Sequence, residues 1–278
     1  MKVFMKIWLI IGLTALGLGI VVTVIASSVI ARGASFDTFS YKESYEDVRS
    51  LNFSINFGKV IIREGDEFSI DASNLLDEDF RSYVEDGTWI IEEDTRKNII
   101  GIDFSFENVF LWNHGKSTTI IITLPKDFIA EELYINVCAG YVRIHQLQAD
   151  NAELKIDTGR LNAEYITINN SAEFAVDIGE LRIENLTANN VKADCSFGNI
   201  HLGGSITGDN SLNCDVGAIS LDLEGKEKDY RFNVYKDIAN IEINGIRYND
   251  RYGRNNSDQI SADFDIKCDI GSISIDTN

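Results

Sequence analysis

The chain has 278 residues, with 44 Asp+Glu against 25 Lys+Arg and a formal net charge of −19. A duplex-binding surface needs a basic footprint, so nucleic acid is not an expected partner. Hydrophobic residues at 44%, charged residues at 25%, one proline and four cysteines describe a globular chain, and disordered, collagen-like and disulfide-scaffold readings fail.

Residues 7–31 contain no charged side chain, Lys2 and Lys6 precede them, and Arg32 follows. A helix needs about 20 residues to cross the hydrocarbon, so this run is expected to be an uncleaved transmembrane anchor. A cleaved signal peptide, with small residues near Ala31, is the alternative. The bias of cations toward the cytoplasm makes residues 1–6 an inner tail and puts the rest outside. The expected location is the cell membrane, single-pass, with an extracytoplasmic domain. Residues 32–48 read as a polar spacer, and residues 49–278 as the outer domain.

That domain opens with a glycine corner, Gly58 in GKVII, where apolar residues stand two and four places on. EFSIDA (67–72), TWIIEE (88–93) and STTIIITLP (117–125) read as strands. The rest of 74–118 is expected to be an irregular insertion that caps the first turn.

From residue 134 onward the corners become regular. They fall at Gly140, Gly159, Gly179, Gly198 and Gly217, at spacings of 19, 20, 19 and 19, and a last one falls at Gly271. Apolar residues stand five and three places before each glycine, as in Phe174 and Val176, with mostly polar residues between. This alternation is that of strands, and a fixed period near 20 is that of a stack. The fold class is therefore mainly β: a single-stranded parallel β-solenoid of rungs about 19–20 residues long, preceded by the one helix. Ala239 takes the glycine position in one copy, and a polar insertion at 247–259 separates it from the last.

Two places before the glycine stand Asp157, Asp177, Asp215 and Asp269. Outward carboxylates one rung apart could share a calcium ion. Alternatively, each caps its turn by accepting from backbone N–H groups, the reading preferred here. Cys195, Cys214 and Cys268 share one inward position and are read as free, buried thiols, with a Cys195–Cys214 disulfide as the alternative. Cys138 is one place off and should face outward or sit at the corner. His145 and His201 look exposed, and no pair of histidines has a metal or catalytic spacing. The insertion, with Trp89 and Trp112, is the one place for an elaborated cleft.

The segments SLNFSINFGKVIIREGDEFSI and ITLPKDF and the ladder of D-x-G-x-[IL] corners ending in DIGSISI resemble the bacterial "putative adhesin" family of β-strand-repeat, LiaG-like proteins. The resemblance spans roughly 49–278 and implies an extracytoplasmic domain without catalytic residues or cofactor. The function expected is a membrane-anchored, non-catalytic binding, adhesion or scaffolding module at the bacterial cell envelope. Its partner would be an envelope protein or wall polymer. The alternatives are an accessory part in envelope-stress signalling and a glycan-acting enzyme.

Overall fold

The structure is a computed structural model that describes residues 38–75, 80–93, 118–248, 252–253 and 260–278. The tail expected at 1–6 and the anchor expected at 7–31 lie outside the described residues, as do Trp112 and His114. Among the described residues no helix is long and apolar enough to cross a membrane. The single-pass, tethered location is therefore corrected: nothing described supports it.

The described elements are strands joined by short turns. They are β1 (Phe39–Tyr45), β2 (Ser50–Gly65), β3 (Phe68–Leu75), β4 (Phe80–Glu85), β5 (Thr88–Glu93) and β6 (Thr119–Pro125). The long β7 (Ala130–Asn189) and β8 (Val191–Leu223) follow, then β9 (Tyr230–Ile243), β10 (Ile246–Tyr248), β11 (Tyr252–Gly253) and β12 (Ala262–Thr277). Sixty residues of uninterrupted strand in β7 are three turns of one coil. Each turn pairs in parallel with its equivalent above and below: Gly58 with Gly140, Gly179 with Gly198, Gly217 with Gly271.

The burial pattern shows why the chain coils. In one turn the buried residues are Ala152, Leu154 and Ile156, then Leu161 and Ala163, then Ile166 and Ile168, then Ala172 of the next turn. The two-residue alternation changes phase at Gly159 and again between Ala163 and Ile166, and it is interrupted after Ile168, where exposed Asn170 takes the place of an inward residue before Ala172. Each such break turns the apolar side through a corner, which makes three faces around one core. The expectation of two strands about a glycine is thus corrected: a third, shorter face closes the turn.

The rungs do not stack in chain order. β12 pairs with β8 on one side and β9 on the other, so the column runs Gly198, Gly217, Gly271, Ala239. Inner residues explain the exchange. Those of β12 (Ala262, Phe264, Ile266, Cys268, Ile273 and Ile275) are all apolar and need cover on both sides. In β9, Lys236 stands in register with Cys268, and a long cationic stem is tolerable only where one side of the rung meets solvent. The chain passes over a vacant rung through the turn at Glu227–Asp229, then returns to fill it. The ends are tied by Asn278 N–H to Leu223 O (3.2 Å) and Asn244 N–H to Ile275 O (2.9 Å).

Both stack ends are covered by antiparallel strands, which removes open edges. β10 and β11 pair with β9. At the other end β5 and β6 together form a split rung against β2, and β4, β3 and β1 close over them. Two sequence expectations change here. Residues 39–45, inside the stretch read as spacer, are a strand, because Tyr41 and Tyr45 reach the cap and donate to Ser82 O at 3.1 and 2.9 Å. The insertion at 74–118 holds β4 and β5, and Trp89 is buried against Phe53 and Tyr45, with its indole N–H on Ser82 Oγ at 2.9 Å. Trp89 therefore fills the core and lines no cleft. Likewise Arg247 and Tyr248 of β10 and the whole of β11 fall inside the polar insertion at 247–259.

Candidate functional site

The sequence-predicted site residues converge on the glycine corner. At Gly198, φ is +147°, and a β-carbon there would lie 1.8 Å from Gly179 O. No side chain fits, so the glycine backbones close-pack into a column. The column fixes the outward residues beside it at rung spacing, about 4.8 Å.

Asp157 and Asp177 stand on neighbouring rungs, and so do Asp215 and Asp269. The Ser196 rung separates the two pairs. Asp237 extends the second pair to three, since β9 continues the register beyond Asp269. Asp269 pairs with Lys267 (2.8 Å). Asp177 and Asp215 make neither a hydrogen bond nor an ion pair among the described residues, so the turn-capping role preferred from sequence is not what they do. Two carboxylates at rung spacing in water repel by under about 1 kcal/mol, which the fold tolerates. Among the described residues no group of three or more His, Cys, Asp or Glu is placed to hold a metal ion.

Behind the aspartates lie the thiols. Cys195, Cys214 and Cys268 are buried and free. The Cys214 thiol donates to Gly198 O (3.6 Å) and the Cys268 thiol to Gly217 O (3.7 Å). The hydrogen bond with Cys195, reinforced by burial, pushes Cys214 up to about 12. Cys214 and Cys268 keep their protons and tie their rungs to the corner before them, whereas the hydrogen bond from Cys214 lowers the pKa of Cys195. Cys138 is half-buried and donates weakly to Asn56 Oδ1 (3.9 Å), and burial, then the charge of Asp157, raises its pKa.

The histidines do not join this edge. His145 is exposed beside Glu164 (3.4 Å). His201, expected at the surface, has a side chain only 14% exposed and lies 3.6 Å from Asp222 and 3.8 Å from Glu184.

Sequence reasoning passed over one column. One place before the glycine stand Ile178, Phe197, Val216, Ile270 and Ile238, on five consecutive rungs. Their signal was present at the same period as the corners, one place before each glycine, between the offsets that mark the strands. Ile178 is 54% exposed, Phe197 55%, Ile270 48% and Ile238 75%, and Val216 is partly exposed.

A shallow groove of about 380 Å³ crosses another corner of the coil, lined by Glu132, Asn151, Glu153, Glu173 and Lys192. Its polar groups satisfy one another. Asn151 donates to Glu132 (2.9 Å) and Lys192 pairs with Glu173 (2.9 Å), while Glu153 pairs with Lys155.

Residues 50–244 match the Toastrack DUF4097 family, and the chain belongs to it. The adhesin-like resemblance carried by the corners and by ITLPKDF therefore holds. Similar solved structures include a putative cell adhesion protein from Clostridium sporogenes, 14% identical, with 87% of this chain and 100% of that chain covered and a TM-score of 0.35. A putative adhesin from Bacteroides fragilis is 13% identical, over 87% of this chain and 98% of that one, with a TM-score of 0.42. A putative lipid binding protein from Parabacteroides distasonis is 13% identical, over 87% and 97%, with a TM-score of 0.30. No curated protein matches the chain.

Proposed function

We propose that the protein is a non-catalytic binding module of the bacterial cell envelope, engaging an envelope protein or wall polymer through a rigid, repetitive flank. The observation that carries this reading is the unbroken run of rungs from Ala130 to Leu223, whose corners build no loop-walled cleft. Glycan cleavage needs a pair of carboxylates flanking the scissile bond, one to give a proton and one to attack or to activate water. The groove carboxylates Glu132, Glu153 and Glu173 are instead engaged by their neighbours. A stack of parallel strands holds its outward side chains with little freedom, so recognition costs little ordering entropy.

The test is co-sedimentation of the full chain with isolated wall polymer, capture of solubilised envelope proteins, and incubation with a glycan panel. The reading expects retention on polymer or protein with every glycan intact. Turnover of a glycan, or no retention on either material, overturns it.

A further inference from the structure

Ile178, Phe197, Val216, Ile270 and Ile238 form a solvent-facing apolar stripe about 19 Å long, four steps of the ~4.8 Å rung spacing. Nothing in the fold requires it. In the earlier rungs the same position holds Phe57, Ala139 and Thr158, and at Thr158 the glycine column continues without an apolar side chain. An exposed apolar row costs solubility and marks a contact surface. Along one side of it run Asp177, Ser196, Asp215, Asp269 and Asp237. Along the other run Glu180, Asn199, Ala218, Ser272 and Asn240, uncharged apart from Glu180, whose carboxylate is paired with Arg160 at 2.9 Å.

We infer that this edge binds an amphipathic helix of a partner protein whose apolar face is bordered on one side by Lys or Arg. Resting on the binding-module reading, the inference names the surface and the partner's chemistry. Charge chooses among the occupants. A second copy of a chain carrying −19 is repelled, and so is an anionic lipid surface. A cationic border meets Asp177 and Asp215, which have no ion-pair partner of their own among the described residues. Spacing chooses the helix. Its apolar residues recur about every 5.4 Å of axis, close to the rung spacing, whereas alternate residues of an extended strand recur at about 6.7 Å. About 13 helical residues span the stripe.

The probe is a fluorescent peptide of that length built from leucine and lysine in a helical pattern, titrated with the full chain and followed by anisotropy. A leucine–glutamate peptide of the same pattern and neutral phosphatidylcholine vesicles are the comparisons. The expected result is saturable binding of the lysine peptide alone, weakened by salt. Ile178→Ser with Ile270→Ser should weaken it about tenfold. Asp177→Asn with Asp215→Asn should weaken it about threefold or more. Asp222→Asn with Asp276→Asn, the same charge change on another face, should change it less than about twofold. Ile178→Lys, at an open position, is a second stripe variant, and unchanged melting temperatures show that all variants fold. Unchanged binding by both stripe variants overturns the inference, as does equal loss from the distant pair. Tight binding of the glutamate peptide, vesicle binding, or dimerisation through the stripe also overturns it. The binding-module reading stands or falls separately: wild type and stripe variants retained alike on envelope material refute only the stripe, whereas wild type retained on nothing refutes the module.

Discussion

Gly271 lies directly over Gly217, 54 positions earlier in the chain, so closely that a β-carbon on Gly271 would stand 1.7 Å from Gly217 O. The contact is backbone on backbone and has no side chain that could give way. It makes glycine a requirement of the corner inside the stack, and Ala239 takes the position only on the end rung beyond Gly271.

Gly198→Ala should therefore cost at least about 3 kcal/mol, because φ of +147° and a 1.8 Å approach to Gly179 O are both forbidden to alanine. Gly245→Ala, at φ +75° with nothing within 4 Å, should cost only about 1 kcal/mol. Urea unfolding midpoints at constant slope compare the two, and equal costs would show that the column is loosely packed.

Asn210 is the buried polar residue in a column otherwise apolar, and its bonds explain it. Its Oδ1 accepts from Val191 N–H (2.8 Å) at the break between β7 and β8, and its amide donates to Gly208 O and Asp263 O, each at 3.1 Å. Asn210→Ala strands a buried N–H and should cost about 2–3 kcal/mol. Denaturant titration measures it, and a cost under about 0.5 kcal/mol would mean the three bonds contribute little net.

The architecture was largely legible because corner chemistry repeats: each glycine is flanked by inward residues at fixed offsets, and backbone contact leaves no substitute short of the end rung, where Ala239 stands. The third face was not, since it carries only two inward residues per turn, such as Leu147 and Ala149, too few for an alternation to stand out. The position of β12 was hidden because rung order depends on which apolar sets need cover on both sides, and Lys236 was the lone clue. The hairpins at Asp86–Gly87 and Asn244–Gly245 had the usual turn signal, positive φ at both residues, yet lay in stretches read as insertion or rung. Of the candidate site, the aspartates were legible as a column, but Asp237 and the stripe beside them were not.

The neutral thiols set a pH dependence. In the unfolded chain Cys214 ionises near its ordinary value of 9.0, while in the fold it keeps its proton to about 12. Between those values the unfolded state binds fewer protons, so stability is complete below pH 9 and falls as pH rises toward 12. Cys214→Val, matching Val137 and Val176 in the same column, should make that fall shallower. Guanidinium midpoints measured across this range check it, and identical slopes for both proteins would show that the thiol stays ionisable in the fold.

Calcium should not act as a specific ligand of Asp157, Asp177, Asp215 and Asp269, which form no cluster of three. Calcium and magnesium at equal concentration are expected to shift the melting temperature alike, by screening a charge of −19. A rise with calcium alone, reversed by chelator, would contradict this.

The order of the last three rungs assembles Val216, Ile270 and Ile238 into one edge. Outward residues report it directly: Ser220 is in register with Ser274, and Ser274 with Glu242. Oxidative cross-linking of paired cysteines should join Ser220→Cys to Ser274→Cys rapidly, and leave Ser220→Cys and Glu242→Cys, two rungs apart at about 9.6 Å, unlinked. The reverse pattern, with 220 linking to 242 and not to 274, would contradict it.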